Sequence, residues 1–336
     1  MPTESPGRTA TAPAPEPAGT DGHGAGRPRV VLLGPQRHPT VDTVLRDLGL
    51  CGRRVGMVTA GWREREPEDE LLADLVGGNA VNLRLWHRMQ QVWEADPELA
   101  EADTRRRARL EEMQELYLRG LGHAMHAVAD LAEHHARHPD LVEAARDDAV
   151  RIIRRMDTRH LERVAEVHAE FWGAWPPHER PALAEARAQV AADLAGVEAL
   201  VVTGGHVGVL VGAMHLFNVA PQVAHLPVIA WGAGAMALTD RVVLFHDRAA
   251  HGPAVAEVFT GGLGMVHDVV ALPSARDRLA LGDRARMALL QQRFAPARCV
   301  PLDERVRVEI DAGGRLPDGT PVLGEDGAIT GWRDQP

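Results

Sequence analysis

Residues 227–240 read PVIAWGAGAMALTD. Pro227 to Ala230 is a short apolar run with Val and Ile, the pattern of a buried strand. Small residues follow at Gly232, Ala233 and Gly234, and Ala235, Met236, Ala237 and Leu238 open a helix. Strand, tight small-residue turn and helix form the frame of a nucleophile elbow, where a Ser or Cys stands at the tip between small neighbours. Here the tip is Gly232, which has no side chain. The frame is present without its hydroxyl.

Outward from this segment the chain alternates strand and helix. VVLLG at 30–34 is a buried-strand signal, and residues 40–50 place Val41, Val44, Leu45 and Leu48 on one helix face. Strands follow at 54–59 and 80–85, with a helical stretch at 68–75 between them. That is the grammar of a parallel sheet covered by helices. The same grammar resumes with strands at 199–203, 228–231, 242–245, 269–272, 299–301 and 306–310. Between 89 and 194 the pattern is almost continuously helical. One apolar stripe runs Leu110, Met113, Tyr117, Leu121, Val128, Leu131; another runs Leu141, Val150, Ile153, Met156, His160, Val164, Val167, Phe171. His138-Pro139-Asp140 separates them, since the residue before Pro disfavours helix and Asp caps the next one. The spacing predicts a helical hairpin inserted into an α/β domain, with a third helix at 181–194 leading back to the sheet. Residues 1–27, rich in Pro, Ala, Gly, Thr and Glu, read as a disordered tail. The expected organisation is a tail (1–27), an α/β domain (28–88 and 197–335) and a helical insertion (89–196).

Composition narrows the function classes. The chain has 336 residues, 45% hydrophobic and 25% charged, ordinary for a globular protein. A net charge of −10 argues against an electrostatically driven nucleic-acid binder. No apolar run reaches the length of a membrane span, and no secretory signal is expected. Cys51 and Cys299 are the only thiols, which suggests a reducing, cytoplasmic setting. All 37 basic residues counted as Lys or Arg are Arg. A Schiff-base lysine, a Walker loop and a Ser–Lys dyad are therefore excluded, each needing an amine.

Four segments occur in order: VVTGGH at 201–206, PVIAWGAGAM at 227–236, GLGMVHDVVALPSARDRL at 262–279 and CVPLDE at 299–304. Together they resemble the cyanophycinase and aspartyl dipeptidase family of serine peptidases, in the class I glutamine amidotransferase-like superfamily. The resemblance covers the α/β part and not the helical insertion. It implies a three-layer α/β/α sandwich of flavodoxin-like type with a mostly parallel sheet. It also implies that the position of the family's catalytic Ser is Gly232, that of its His is Ser274 after Pro273, and that of its acid is Glu304 beside Asp303. Serine attack needs a base to take the hydroxyl proton and an acid to orient that base. On this mapping only the acid survives. The backbone N–H groups of Ala233 and Gly205 match the family's oxyanion hole, and Gly204, Gly205, His206, Ala233 and Gly234 are the expected ligand-binding residues.

Other candidates read as structural. His134 and His138 have the i, i+4 spacing of a zinc helix, but no H-E-x-x-H motif is present, and a solvated His-rich helix end is the better reading. His246-Asp247 and His267-Asp268 are sequence neighbours that a strand would point to opposite faces. Trp172 and Trp175 are expected to cap the hairpin, and the runs 105–107 and 151–155 to be solvated arginine faces. The expected function is a catalytically degenerate peptidase-like protein that binds a small carboxylate or peptide-like ligand or serves as a partner subunit. Two alternatives stay open: an active hydrolase or transferase with a relocated base at His206 or His267, and an interaction protein that works through its hairpin. No cofactor or metal is expected. The hairpin is expected to cover the pocket mouth or to form a homodimer interface, the dimer being favoured by the width of its stripes.

Overall fold

The computed structural model describes residues 29–247 and 255–333. The tail expected at 1–27 lies outside the described residues. In chain order the first elements are β1 (Val30–Leu33), α1 (Val41–Asp47), β2 (Val55–Val58), α2 (Glu70–Leu75) and β3 (Ala80–Asn82). A helical region follows with α3 (Leu85–Ala95), α4 (Pro97–Glu133), α5 (Pro139–Ala174) and α6 (Pro181–Leu194). The chain then forms β4 (Ala199–Val202), α7 (Val207–Leu216), α8 (Val219–Gln222), β5 (Val228–Trp231), α9 (Ala233–Ala237), β6 (Arg241–Leu244) and β7 (Glu257–Gly261). It ends with β8 (Val269–Pro273), α10 (Ala275–Arg278), α11 (Arg284–Phe294), β9 (Arg298–Leu302), β10 (Arg307–Ile310), β11 (Pro321–Leu323) and β12 (Ile329–Gly331).

Six strands form the central sheet in the order β10-β1-β5-β4-β2-β3, parallel except for β10. One rung crosses it through Glu309, Val31, Ile229, Val201, Met57 and Asn82. Strands β1, β2 and β4 are buried at every position, as parallel strands covered on both faces must be. Alternate residues feed different cores. Val31, Leu33, Met57, Val201 and Ile229 pack with Val41, Val44, Leu45 and Leu72. Val30, Leu32, Val58, Val202 and Ala230 pack with Leu85, Val190, Leu210 and Met236. This is the expected α/β class with a mostly parallel sheet and an added helical region.

Not every expected strand joins that sheet. β6 pairs antiparallel with β7, β8 pairs parallel with β9, and β11 pairs with β12, each as a separate two-stranded unit. The cause lies in the connection. A parallel neighbour needs a crossover of about a dozen residues or more, and the short α9 leaves β5 without one. β7, β11 and β12 have no counterpart in the sequence reading. The strand expected up to residue 85 ends at Asn82, because buried Glu66 caps α3 by accepting from the amides of Trp86 and His87 (3.3 and 3.0 Å).

Helix α4 is 37 residues long, about 55 Å at the standard rise. Asp96 caps it by accepting from Leu99 N–H, and the Arg180 fork on that carboxylate holds its pKa low. α5 packs along α4, with the break at Pro139 as expected. Much of both apolar stripes is covered within the chain: Tyr117, Leu121, Val128, Val150 and Ile153 lie in one core with β6 to β9 and α11, while Phe171 joins the core of the sheet. The stripe width left for a homodimer interface is therefore narrower than expected, with Leu141 still 62% exposed. Trp172 and Trp175 pack on the core as expected. Arg106 departs from the solvated reading of its run. Its guanidinium sits 4.2 Å from the Phe171 ring centroid and pairs with buried Asp103.

Candidate functional site

The carboxyl ends of β1, β2, β4 and β5 converge on one edge of the sheet, where parallel α/β proteins place their sites. Gly232 stands between β5 and α9 with φ +56° and ψ −126°, the backbone of a sharp strand-to-helix turn. An L-residue pays strain at such dihedrals and glycine does not. The elbow frame read from the sequence therefore forms, with glycine at its tip. Gly234, two residues further on, faces β4: a Cβ there would stand 2.4 Å from the carbonyl oxygen of Val202. Its expected ligand contact gives way to close packing of α9 on the sheet.

A cavity of about 500 Å³ opens beside the tip. Its wall brings together Gly204, Gly205, Gly232, Ala233 and Ser274, five of the eight expected site residues. Gln36 from the loop after β1, His246 after β6, Glu257 on β7 and Arg278 at the end of α10 complete its polar lining, with Pro35, Trp231, Met236 and Phe245 supplying apolar surface. Among the described residues, neither the Gly205 nor the Ala233 amide donates to a protein acceptor. Two N–H donors are thus available on one wall of the cavity.

The remaining site residues lie elsewhere. His206 caps α7, its Nδ1 accepting from Val209 N–H at 3.2 Å while its own amide donates to Gly61 O at 2.8 Å. It is not on the cavity wall. His267 precedes β8 and meets Asp240 at 2.7 Å. It is separated from Ser274 by the length of β8, roughly 15 Å at the usual rise. Neither histidine lines the cavity beside Gly232. Glu304 lines a second cavity of about 320 Å³ that shares Pro35 and Ser274 with the first. Its partner is His38, with Nδ1 and Oε1 2.6 Å apart. Ser274 has φ +56° and ψ +44°, and its amide donates to Leu302 O at 3.0 Å. Its neighbour Asp303 accepts from Arg276 N–H at 2.9 Å.

His38, Gln36, Glu257 and Arg278 escaped the sequence reading. His38 lies 266 positions from Glu304, and no local pattern links them. Glu257 sits in a strand that carried no clear signal. Burial raises its pKa above the usual carboxylate range, opposed by the Gln114 hydrogen bond and by Arg293. Asp247, weighed as part of a His–Asp pair, is instead clamped by Arg286 (3.0 and 2.6 Å). The buried Cys299 thiol is pushed up to about 12 by desolvation, which leaves it protonated and unreactive. Among the described residues no group of three His, Cys, Asp or Glu side chains is placed to hold a metal ion, and no helix is long and apolar enough to cross a membrane. The chain matches no model of a known protein family and none of the characterised proteins with which it was compared.

Proposed function

We propose that this chain is a catalytically degenerate relative of the cyanophycinase and aspartyl dipeptidase peptidases, and that its elbow cavity binds a small carboxylate or peptide-like ligand. The observation that carries the reading is the elbow backbone at Gly232, with the amides of Gly205 and Ala233 beside it. A nucleophilic oxygen is missing at the tip. The donors that would face a developing oxyanion remain, and they suit a carboxylate equally well. Hydrogen bonds to a charged group contribute about 1.5–3 kcal/mol each. Apolar clusters fed by alternate residues of the central strands support the three-layer, flavodoxin-like arrangement. Thiol usage supports a cytoplasmic setting. Calorimetric titration with L-aspartyl-L-alanine, with product analysis of the same mixture, tests the reading. Binding without turnover is expected; turnover at the elbow, or no binding, overturns it.

A second reading is favoured by the His38–Glu304 pair. The two side chains are 2.6 Å apart, the contact of a base and its orienting acid, and Glu304 lines the cavity that Ser274 also lines. On this reading the base has moved to His38, and the nucleophile is Ser274 rather than residue 232. A fluorophosphonate probe distinguishes the two. The degenerate reading expects no adduct, whereas a stoichiometric adduct on Ser274, lost in His38→Ala, establishes the second.

A further inference from the structure

Glu257 is a half-buried carboxylate on the cavity wall with little to satisfy it. Its Oε2 accepts from the Gln114 side-chain amide at 3.0 Å, and no Lys, Arg or His pairs with it among the described residues. Arg293, a cation that acts on it electrostatically, is committed to other partners. Its guanidinium bonds both oxygens of Asp157 at 2.7 Å, the Tyr117 hydroxyl at 2.9 Å and the Ala256 carbonyl at 2.5 Å. An ionised carboxylate offers about four acceptor sites, so most of Glu257's capacity is unused where it lines the cavity. The same wall carries Arg278, which has no carboxylate partner among the described residues, and the two amides of Gly205 and Ala233. One cavity therefore presents an unpaired negative group together with donors for a negative one. A dianion or a neutral ligand would leave Glu257 desolvated and bare. A metal ion is a poor occupant, because no further acidic or imidazole ligands cluster there.

Gln114 belongs to the helical hairpin, not to the α/β part. Its amide also donates to Val258 O at 3.3 Å, which fixes its orientation. Tyr117, one turn along α4, accepts from Val258 N–H at 3.3 Å and donates to Asp157 at 2.7 Å. This position of α4 is thus bolted to β7, and Gln114 is held where it can orient Glu257.

We infer that the elbow cavity takes a zwitterion, a ligand with both a primary ammonium and a carboxylate, and that Glu257, oriented by Gln114 of the hairpin, receives the ammonium. The inference rests on the reading of this cavity as a ligand site. It assigns the insertion a part in specificity: the α/β frame holds the carboxylate and the hairpin sets the opposite pole.

The experiment compares L-aspartyl-L-alanine with N-acetyl-L-aspartyl-L-alanine by calorimetry on the full chain. Acetylation removes the ammonium and keeps both carboxylates. The free dipeptide is expected to bind at least about tenfold more tightly, the scale of one charge-assisted contact. Glu257→Gln, close to isosteric, is expected to bring the two within about twofold, and Gln114→Leu to reduce the discrimination in part. Equal affinity of the two peptides for the unaltered chain overturns the inference while the ligand site stands. Discrimination that survives in Glu257→Gln overturns the role of Glu257. Failure of both peptides to bind removes the ligand-site reading and this inference with it. The wild-type comparison needs no variant to fold.

Discussion

Two residues of this chain hold nearly the same unusual backbone. Gly232 has φ +56° and ψ −126°; Arg63, in the turn after β2, has φ +59° and ψ −124°. Glycine adopts that region freely, whereas a residue with a Cβ pays about 1–3 kcal/mol. The two sites make opposite predictions. Gly232→Ser is expected to destabilise the protein by about 1–3 kcal/mol, because a Cβ there also stands 3.3 Å from Gly204 Cα. On the proposed reading it restores no peptidase activity by itself, since Ser274 stands where the resemblance places the base. Arg63→Gly is expected to be neutral or stabilising by up to about 1 kcal/mol, relief of strain being offset by the larger entropy of an unfolded glycine. Urea denaturation of the two variants checks both signs, and a stabilised Gly232→Ser would show that the turn is not held in this geometry. Gly234→Ala is a sterner case. Its Cβ would meet a strand carbonyl at 2.4 Å, and main chain cannot move aside, so a loss above about 2 kcal/mol is expected.

At the level of elements, the helical hairpin is joined to the body by a buried polar cluster. Asp157 on α5 and Arg293 on α11 are each 3% exposed and meet at 2.7 Å, with the Tyr117 hydroxyl of α4 bridging them. Burial raises the Tyr117 pKa, so its phenol stays protonated and donates to Asp157. A buried pair adds little net stability, but removing one partner leaves the other as an uncompensated charge. Asp157→Asn is therefore expected to cost about 3–5 kcal/mol, whereas Tyr117→Phe, which removes a single hydroxyl, costs about 1–2 kcal/mol. Thermal or urea midpoints compare them; similar small losses in both would mean that the cluster does not bear the hairpin. The hairpin is thus a fixed wall.

Across the whole molecule, burial sets the response to acid. Desolvation lowers the pKa of His168 to about 4, with Arg106 and His215 adding to the effect, and lowers His160 and His215 in the same direction. Each of these groups is neutral in the folded chain and takes up its proton more readily when unfolded. Their stabilisation is full above the unfolded value of about 6.5 and is lost as pH falls from there towards the folded value. For His168 the loss approaches roughly 3 kcal/mol at pH 4, taking 1.36 kcal/mol per pKa unit as an upper limit. The carboxylates of Asp96 and Asp311, whose pKa values are lowered by Arg180 and by the Arg315 contacts, lose their share only below the usual carboxylate range. Midpoints are expected to fall between pH 6.5 and 4.5, before carboxylate protonation dominates. His168→Gln should flatten part of that fall, and an unchanged slope in the variant would remove His168 from the account.

Local signals in the chain determined a good deal. Four-residue apolar runs ending in glycine or threonine made β1, β2, β4 and β5, because buried parallel strands need apolar residues on both faces. Pro139 separated two long helices, and small residues at 232–234 made the elbow, since glycine takes its backbone without strain and only a residue without a Cβ allows the close approach to β4. What tertiary structure alone decided was partnership. β6 and β8 find their partners in β7 and β9 rather than in the main sheet. Glu304 meets His38 from 266 positions away, Glu257 is oriented by a helix outside the α/β part, and Arg293 closes on Asp157 across the core. A residue's own neighbours set its backbone within a turn or so. Its charge partner and its burial are set by distant segments that meet only when the chain closes, and no local pattern encodes them.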